Sequence, residues 1–412
     1  MSFTQVEQIS KTIDKISLAN DNGGTENKVL VDLKNINGYN PGFQDSYPRE
    51  SVPEHTRNRL EKYGIDLSRG YPERPENIPY YLDEGYAVRN RPNPNYVERG
   101  KNADPEKKAL FSAAKEVKNL STFIGTELVG VQLNDLNEKQ LDELALLIAE
   151  RVVVVFRNQD LSPQKHRDIG QYYGEVEVHP LVTHVPGLPG ITTVWAEFNR
   201  GGPLLKYKKG LHQGWHTDLV HEFSPAGITH LHLDSIPVVG GDTSFASGYA
   251  AFDKLSKPLQ QFLEGKFALN KSAHNYYNRD NILGGVEPIV RKHPLVITHP
   301  ATGWKSLFVN RAHTIGIVGL EESESKVILE YLFDIYEKSL DNQVRISWQP
   351  TTSGLGTSVI WDNRISQHIA IPDYNDEITG KIRHANRVTS LGNVPEFDTN
   401  SKSQREALGL SI

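Results

Sequence analysis

The chain has 412 residues, with 45 basic against 51 acidic side chains and a net charge of -6, so it shows neither a basic footprint for nucleic acid nor a polybasic membrane anchor. With no cysteine, disulfide scaffolds, thiolate zinc sites, iron-sulfur clusters and cysteine nucleophiles are excluded, and any metal must sit among His, Asp, Glu and oxygen donors. The longest apolar run, residues 152–156, falls far short of the ~20 residues that cross a bilayer, and the first residues, with Glu7 and Asp14, match no secretory or transit pattern; a soluble cytoplasmic protein is expected.

Residues 1–108 are polar, and 71–100 are dense in Pro, Tyr and Arg (YPERPENIPYY, RNRPNPNY), which predicts an extended, turn-rich segment. We read 1–108 as an extension wrapped on a main domain at 109–395, with 396–412 as a tail; for the first ~30 residues a disordered tail is the alternative. ELVGVQL, from Glu127, is a short strand. Asn137, with Gln140 in the capping-box position, opens a helix whose Leu141, Leu144, Ala145 and Ile148 share a face. Residues 152–156 follow as a buried strand, and Ser162 with Pro163 caps and starts the next helix. Beyond His179 short runs (ITTVWAEF, GITHLHLDSI, PLVITH, KSLFVN, TSVIWDN) alternate with Gly, Pro and Asn turns, predicting a sandwich or barrel. One amphipathic helix at 321–338, with Ile328, Tyr331, Leu332 and Ile335 on a stripe, is expected to pack outside the sheets.

Fifteen histidines are available, so the question is which can converge with a carboxylate. In GWHTD, His216 and Asp218 stand two apart on an extended segment and point to one face. Such a triplet also arises by chance and needs a third ligand, which His368 supplies in WDNRISQH. Two histidines and a carboxylate on one octahedral face leave three open positions, the arrangement of non-haem Fe(II) oxygenases; a hydrolytic zinc site is the chemical rival. Arg383 and Arg387, four apart, share a face in either a strand or a helix. Two guanidinium groups facing a metal pocket predict two anionic ligands, against the plain reading of two surface arginines. His230 and His232 alternate on a strand and are read as structural.

WHTD at 215–218, GGDTSFAS at 240–247, HPLVITHPATGWKSLFVN at 293–310, IVGLEESES at 317–325 and WDNRISQH at 361–368 resemble, in order, the taurine dioxygenase family, including its fungal sulfonate/2-oxoglutarate members. The resemblance runs from about residue 127 to 395. It implies a mainly β fold with flanking helices, the double-stranded β-helix or jelly roll. It also implies Fe(II) on His216, Asp218 and His368, with 2-oxoglutarate and O2 as co-substrates. Arg383, assisted by the Thr243 hydroxyl, would hold the far carboxylate of 2-oxoglutarate; Arg387 would hold a substrate sulfonate, and His179 would contact the substrate. The chain departs from the pattern at Val182, where the bacterial sequences carry tyrosine, and at His212, where they carry asparagine. His313 and Tyr276 stand near aromatic pocket positions, with plain packing as the alternative.

The implied reaction hydroxylates the carbon beside the sulfonate and releases sulfite and an aldehyde, with succinate and CO2 as co-products; a homo-oligomer is also implied. The same chemistry on an alkyl sulfate or aryloxy carboxylate is the nearest alternative, and a non-catalytic jelly-roll binding protein is the alternative from another class.

Overall fold

A computed structural model describes residues 46–75, 78–195, 214–348, 354–371, 373–374 and 383–410, without the side chains of 86–89. In chain order the strands are β1 (Glu116–Asn119), β2 (Thr126–Val129), β3 (Val153–Gln159), β4 (His184–Val185), β5 (Leu188–Trp195), β6 (Ala226–Ser235), β7 (Thr243–Ser247), β8 (Phe267–Tyr277), β9 (Val286–Pro294), β10 (Val296–Thr298), β11 (Lys305–Leu307), β12 (Thr314–Ile317), β13 (Gln343–Ile346), β14 (Gly356–Asp362), β15 (Ser366–Ala370) and β16 (His384–Leu391). An eight-stranded sheet takes the order β1-β2-β3-β14-β6-β16-β5-β4, and a second takes β13-β7-β15, continued beyond β15 by an antiparallel bridge between His216 and His368.

The unbroken apolar run of β3 follows from burial on both faces of the large sheet. Successive strand residues point to opposite faces. Val153 and Val155 therefore turn inward, onto Leu231, Leu233, Val359 and Trp361 of the same sheet and Phe245 and Ile346 of the second. Val154 and Phe156 turn outward onto Leu144, Leu147, Ile148 and Ile169, which belong to the helices Glu138–Arg151 and Pro163–Tyr173. The second sheet alternates likewise: Phe245 is inward, while Ala246 and Ile369 pack outward on the helix Glu322–Lys338. The result is the expected jelly roll, two sheets enclosing one core with helices outside.

Local signals account for the helix starts. The capping box between Asn137 and Gln140 is formed in both directions, and Ser162 accepts from the Lys165 amide ahead of Pro163. The stripe on Glu322–Lys338 is corrected: its buried face is Leu329, Leu332, Phe333, Ile335 and Tyr336, whereas Tyr331 points to solvent. Apolar residues almost encircle this helix between 327 and 336, so two stripes fit the same periodicity. In a further sheet, β12-β8-β9, β8 and β9 come from segments too polar to read as strands. Residues 45–412 cluster as one compact unit. The segment expected to be extended and turn-rich contains the helix Leu82–Arg89, preceded in the extension by Glu54–Lys62. At the other end Ser403 caps a short helix, and Lys402 accepts from the Lys305 amide of β11. Among the described residues no helix is long and apolar enough to cross a membrane.

Between the large sheet and its outer layer lies a buried polar cluster. His230 Nε2 and His232 Nδ1 each lie 2.9 Å from Ser358 Oγ, and His166 Nε2 donates to the His230 carbonyl at 3.0 Å. Burial above all, aided by neighbouring cationic groups, holds His166 at a pKa of about 3 and His230 and His232 well below the ordinary histidine value. The unfolded chain takes up these protons near pH 6.5 while the fold refuses them, so their contribution is complete above that pH and is lost as pH falls toward 3. Urea titrations between pH 6.5 and 4.5 should therefore show stability dropping, with this cluster adding up to ~3 protons to the slope and His166→Gln reducing it by about one. A flat profile would remove this cluster from the account of acid sensitivity.

Candidate active site

Two reciprocal backbone bonds build the centre: His216 N donates to His368 O at 3.1 Å, and His368 N to His216 O at 2.9 Å. Residues paired this way present their side chains on the same face, here the inner one, because Trp215 and Ile369 on either side pack into the outer core. The two rings stand 4.3 Å apart. Asp218 follows at the next same-face position, with Oδ1 3.6 Å from His216 Nε2. One ligand atom from each of His216, Asp218 and His368 lies within 4.8 Å of the others, a grouping found nowhere else among the described residues.

Asp218 is held from behind by Asn363, whose amide is fully used. Its Oδ1 accepts from the Asp218 amide at 3.3 Å and from Trp361 Nε1 at 3.2 Å. Its Nδ2 donates to Gly227 O at 3.0 Å and Thr229 Oγ1 at 2.8 Å. Thr217 Oγ1 adds a bond to Ser366 O at 2.8 Å, and the chain then leaves through Leu219 at a φ of 55°, a costly backbone state for a branched residue.

The donor set fits a divalent cation. His216 Nδ1 lies 2.8 Å from Gly214 O; a carbonyl can only accept, so Nδ1 carries the proton and the lone pair of Nε2 faces Asp218. Burial first, then His216, lowers His368 to about 3, so it is neutral at physiological pH. Burial pushes the Asp218 carboxyl up, but Arg387, followed by His368 and His216, outweighs this and holds it at about 2, ionised. Neutral imidazoles and a carboxylate are the forms that ligate metal.

Arg387 lies on β16, and Arg383 immediately precedes it. Ala385 belongs to the inner core, so Arg383 and Arg387, two residues to either side, face inward as well. Arg387 Nη1 lies 3.2 and 3.3 Å from the two Asp218 oxygens, while its Nε is buried without a hydrogen-bond partner among the described residues. Arg383 is buried and donates from Nε to Gly241 O at 3.1 Å; its guanidinium stands 5.9 Å from the Trp348 ring centre. Trp348 Nε1 donates to Thr243 Oγ1 at 3.0 Å, which leaves the hydroxyl proton of Thr243 for another acceptor. Gly240 and Gly241 have φ of 75° and 74°, and a Cβ on Gly240 would collide with the Asp373 carbonyl, so this turn requires glycine to bring β7 beside Arg383. Burial lowers the Arg383 pKa, partly offset by Tyr374 and Asp242, but Asp242 is itself paired with Arg345. A buried guanidinium to which no carboxylate among the described residues is bonded suits an anionic ligand.

On the open side, His313 stands 6.5 Å from the His216 ring and donates from Nδ1 to Lys271 O at 3.1 Å; burial, then His216 and His221, lowers it to about 4. A small cavity brings His179 and Tyr276 together with Gly85 of the extension. His179 Nδ1 accepts from the Leu181 amide at 3.0 Å. Val182 is half-buried and is not part of that lining. His212 lies outside the described residues. His230 and His232 sit on the outer side of the sheet, as structural residues do. Roles that went unread in the sequence are those of Asn363, inside a motif already singled out, and Trp348, for which no local signal exists.

Residues 116–389 match the family described as taurine catabolism dioxygenase TauD, TfdA family. An alpha-ketoglutarate-dependent sulfonate dioxygenase of Saccharomyces cerevisiae is 36% identical over 290 residues, 69% of this chain and 68% of that one. An alpha-ketoglutarate-dependent dioxygenase of Penicillium expansum is 36% identical over 331 residues, 78% of this chain and 90% of its own. The crystal structure of a taurine dioxygenase from Burkholderia xenovorans aligns with a TM-score of 0.57 at 30% identity, covering 68% of this chain and 90% of that one. By the extent of the match, this chain belongs to the TauD/TfdA family of dioxygenases.

Proposed function

We propose that the protein is an Fe(II)- and 2-oxoglutarate-dependent dioxygenase that hydroxylates the carbon bearing a sulfonate. The hydroxylated product collapses to an aldehyde and sulfite, and 2-oxoglutarate ends as succinate and CO2. The observation that carries this reading is a ligand triad faced by two inward arginines, Arg387 on β16 and Arg383 immediately before it. His216, Asp218 and His368 would hold the ferrous ion, which when bound supplies oxygen activation at the three positions those ligands leave open.

The chain's own part is placement of charge. The Arg383 guanidinium and the Thr243 hydroxyl receive the far carboxylate of 2-oxoglutarate and fix which end faces the triad. Arg387 offers its Nε to a sulfonate oxygen while Nη1 keeps Asp218 ionised. His313 and His368, neutral at physiological pH, add no positive charge beside the ligands. The name of the Saccharomyces cerevisiae relative supports a sulfonate as the substrate class.

Purified protein supplied with Fe(II), 2-oxoglutarate and oxygen should release sulfite in step with succinate from at least one of taurine, isethionate and longer sulfonates. Succinate without sulfite, on a panel that includes a sulfate ester and an aryloxy acid, would move the substrate class; neither product from iron-loaded protein would sink the oxygenase reading. Arg383→Met should raise the KM for 2-oxoglutarate by ~100-fold, and Arg387→Ala that for the sulfonate by a similar factor. Steady-state kinetics with each substrate varied in turn would show the split, and equal effects on both constants would contradict it. Asn363→Ala should weaken Fe(II) binding by ~10-fold or more, as loss of a bond behind a ligand does, measured by chelator competition; unchanged affinity would free Asn363 of this role.

A further inference from the structure

We infer that residues 46–75 of the extension act as a positioning element, gripping the outer face of β16 and thereby setting where Arg387, on its inner face, and Arg383, immediately before it, lie. For what the arginines bind, this rests on the function proposed above.

The two faces of β16 carry different tasks. Between the inward residues Arg383, Ala385 and Arg387 stand His384 and Asn386, which point outward. Arg59 Nη1 donates to Asn386 Oδ1 at 2.9 Å and to Asp234 Oδ2 at 3.0 Å, and its Nε donates to Leu161 O at 2.8 Å. The Tyr71 hydroxyl lies 2.6 Å from His384 Nε2, 3.2 Å from Asn386 Nδ2 and 3.2 Å from Thr193 Oγ1 of β5. Asp234 Oδ1, on β6, closes the circuit by accepting from His384 Nδ1 at 2.8 Å and from Thr56 Oγ1 at 2.7 Å. Since Nδ1 faces a carboxylate, the Tyr71 proton is directed at His384 Nε2, and its oxygen accepts from Asn386.

Thr56, Arg59, Tyr71, His384 and Asn386 are all buried. Breaking one bond of such a network leaves its partner unsatisfied in a dry environment, which costs more than the bond itself contributes. Each gripped residue is the direct neighbour of an arginine: His384 of Arg383, Asn386 of Arg387. A shift of ~1 Å in the strand reaches the guanidinium groups and lengthens the charge-assisted hydrogen bonds they would make to bound anions, whose strength depends on distance and direction. The family match begins at residue 116, so the gripping residues lie outside the part that the family model covers.

The test compares full-length Arg59→Met and Tyr71→Phe with Arg49→Ala, which breaks the exposed Arg49–Glu61 pair in the same segment without touching β16. Three quantities are read: amide exchange over residues 384–391, the anaerobic calorimetric Kd for 2-oxoglutarate, and KM and kcat for the sulfonate. Expected in the first two variants are faster exchange in β16 and about tenfold rises in Kd and KM, with kcat at saturation within about twofold of wild type. Arg49→Ala should change none of them. Unchanged exchange, unchanged Kd and KM in natively folded variants, or equal effects from Arg49→Ala would each overturn the inference. If Arg59→Met does not fold, Tyr71→Phe, which removes one oxygen, carries the comparison. Exchange is read without ligand, so wild-type protein that fails to bind 2-oxoglutarate overturns the proposed function while the hold on β16 is still decided.

Discussion

Everything in the site hangs on the pair of backbone bonds between His216 and His368. They join two segments about 150 residues apart in sequence into one antiparallel rung, and a rung determines side-chain direction without help from the side chains. Asp218 needs only the two-residue period of an extended chain to join them. The rest of the local structure serves this geometry: Asn363 holds the Asp218 amide, Thr217 ties the loop to β15, and Phe245 stacks against the His368 ring at 6.0 Å. A metal centre built this way is positioned mainly by peptide hydrogen bonds, which tolerate changes of neighbouring side chains better than a centre held by packing alone.

Charge is distributed in layers across the large sheet. Inside lie Asp218, Arg383 and Arg387, with Arg387 bonded to Asp218. Outside, Asp234, Arg59 and His384 are matched among themselves. A third buried set, Asp362 with Arg364, His299 and Glu98, underlies the turn between β14 and β15 from which Asn363 projects. Buried ion pairs are poor sources of net stability, since desolvation offsets most of their attraction. Their value here is directional: each fixes the orientation of a turn or strand that carries a site residue.

How far this was legible in the sequence depended on distance along the chain. His216 and Asp218 are readable because the period of two is local, and His368, Arg383 and Arg387 because short motifs bring them in a recognisable order. The helix starts at Asn137 and Ser162 are readable because a cap is a bond between residues three apart. The grip of Arg59 on Asn386 spans 327 positions, and no pattern in either segment announces the other. The strands β8 and β9 were illegible for a different reason: their solvent faces carry Lys271, Asn275, Glu287 and Lys292, so the apolar alternation that marks a half-buried strand is diluted. Tyr331 was misassigned because its helix has more apolar residues than one buried face can use.

The bond from Arg387 Nη1 to Asp218 has a consequence for which cation can occupy that position. A guanidinium is planar and has distinct edges; with Nη1 engaged by the carboxylate, Nε and Nη2 form an intact two-pronged edge on the other side. One residue can thus answer to a fixed protein anion and a diffusing one together, each with its own geometry. A lysine ammonium has no such edges and would have to choose between them, so at this position the two basic residues are chemically different parts.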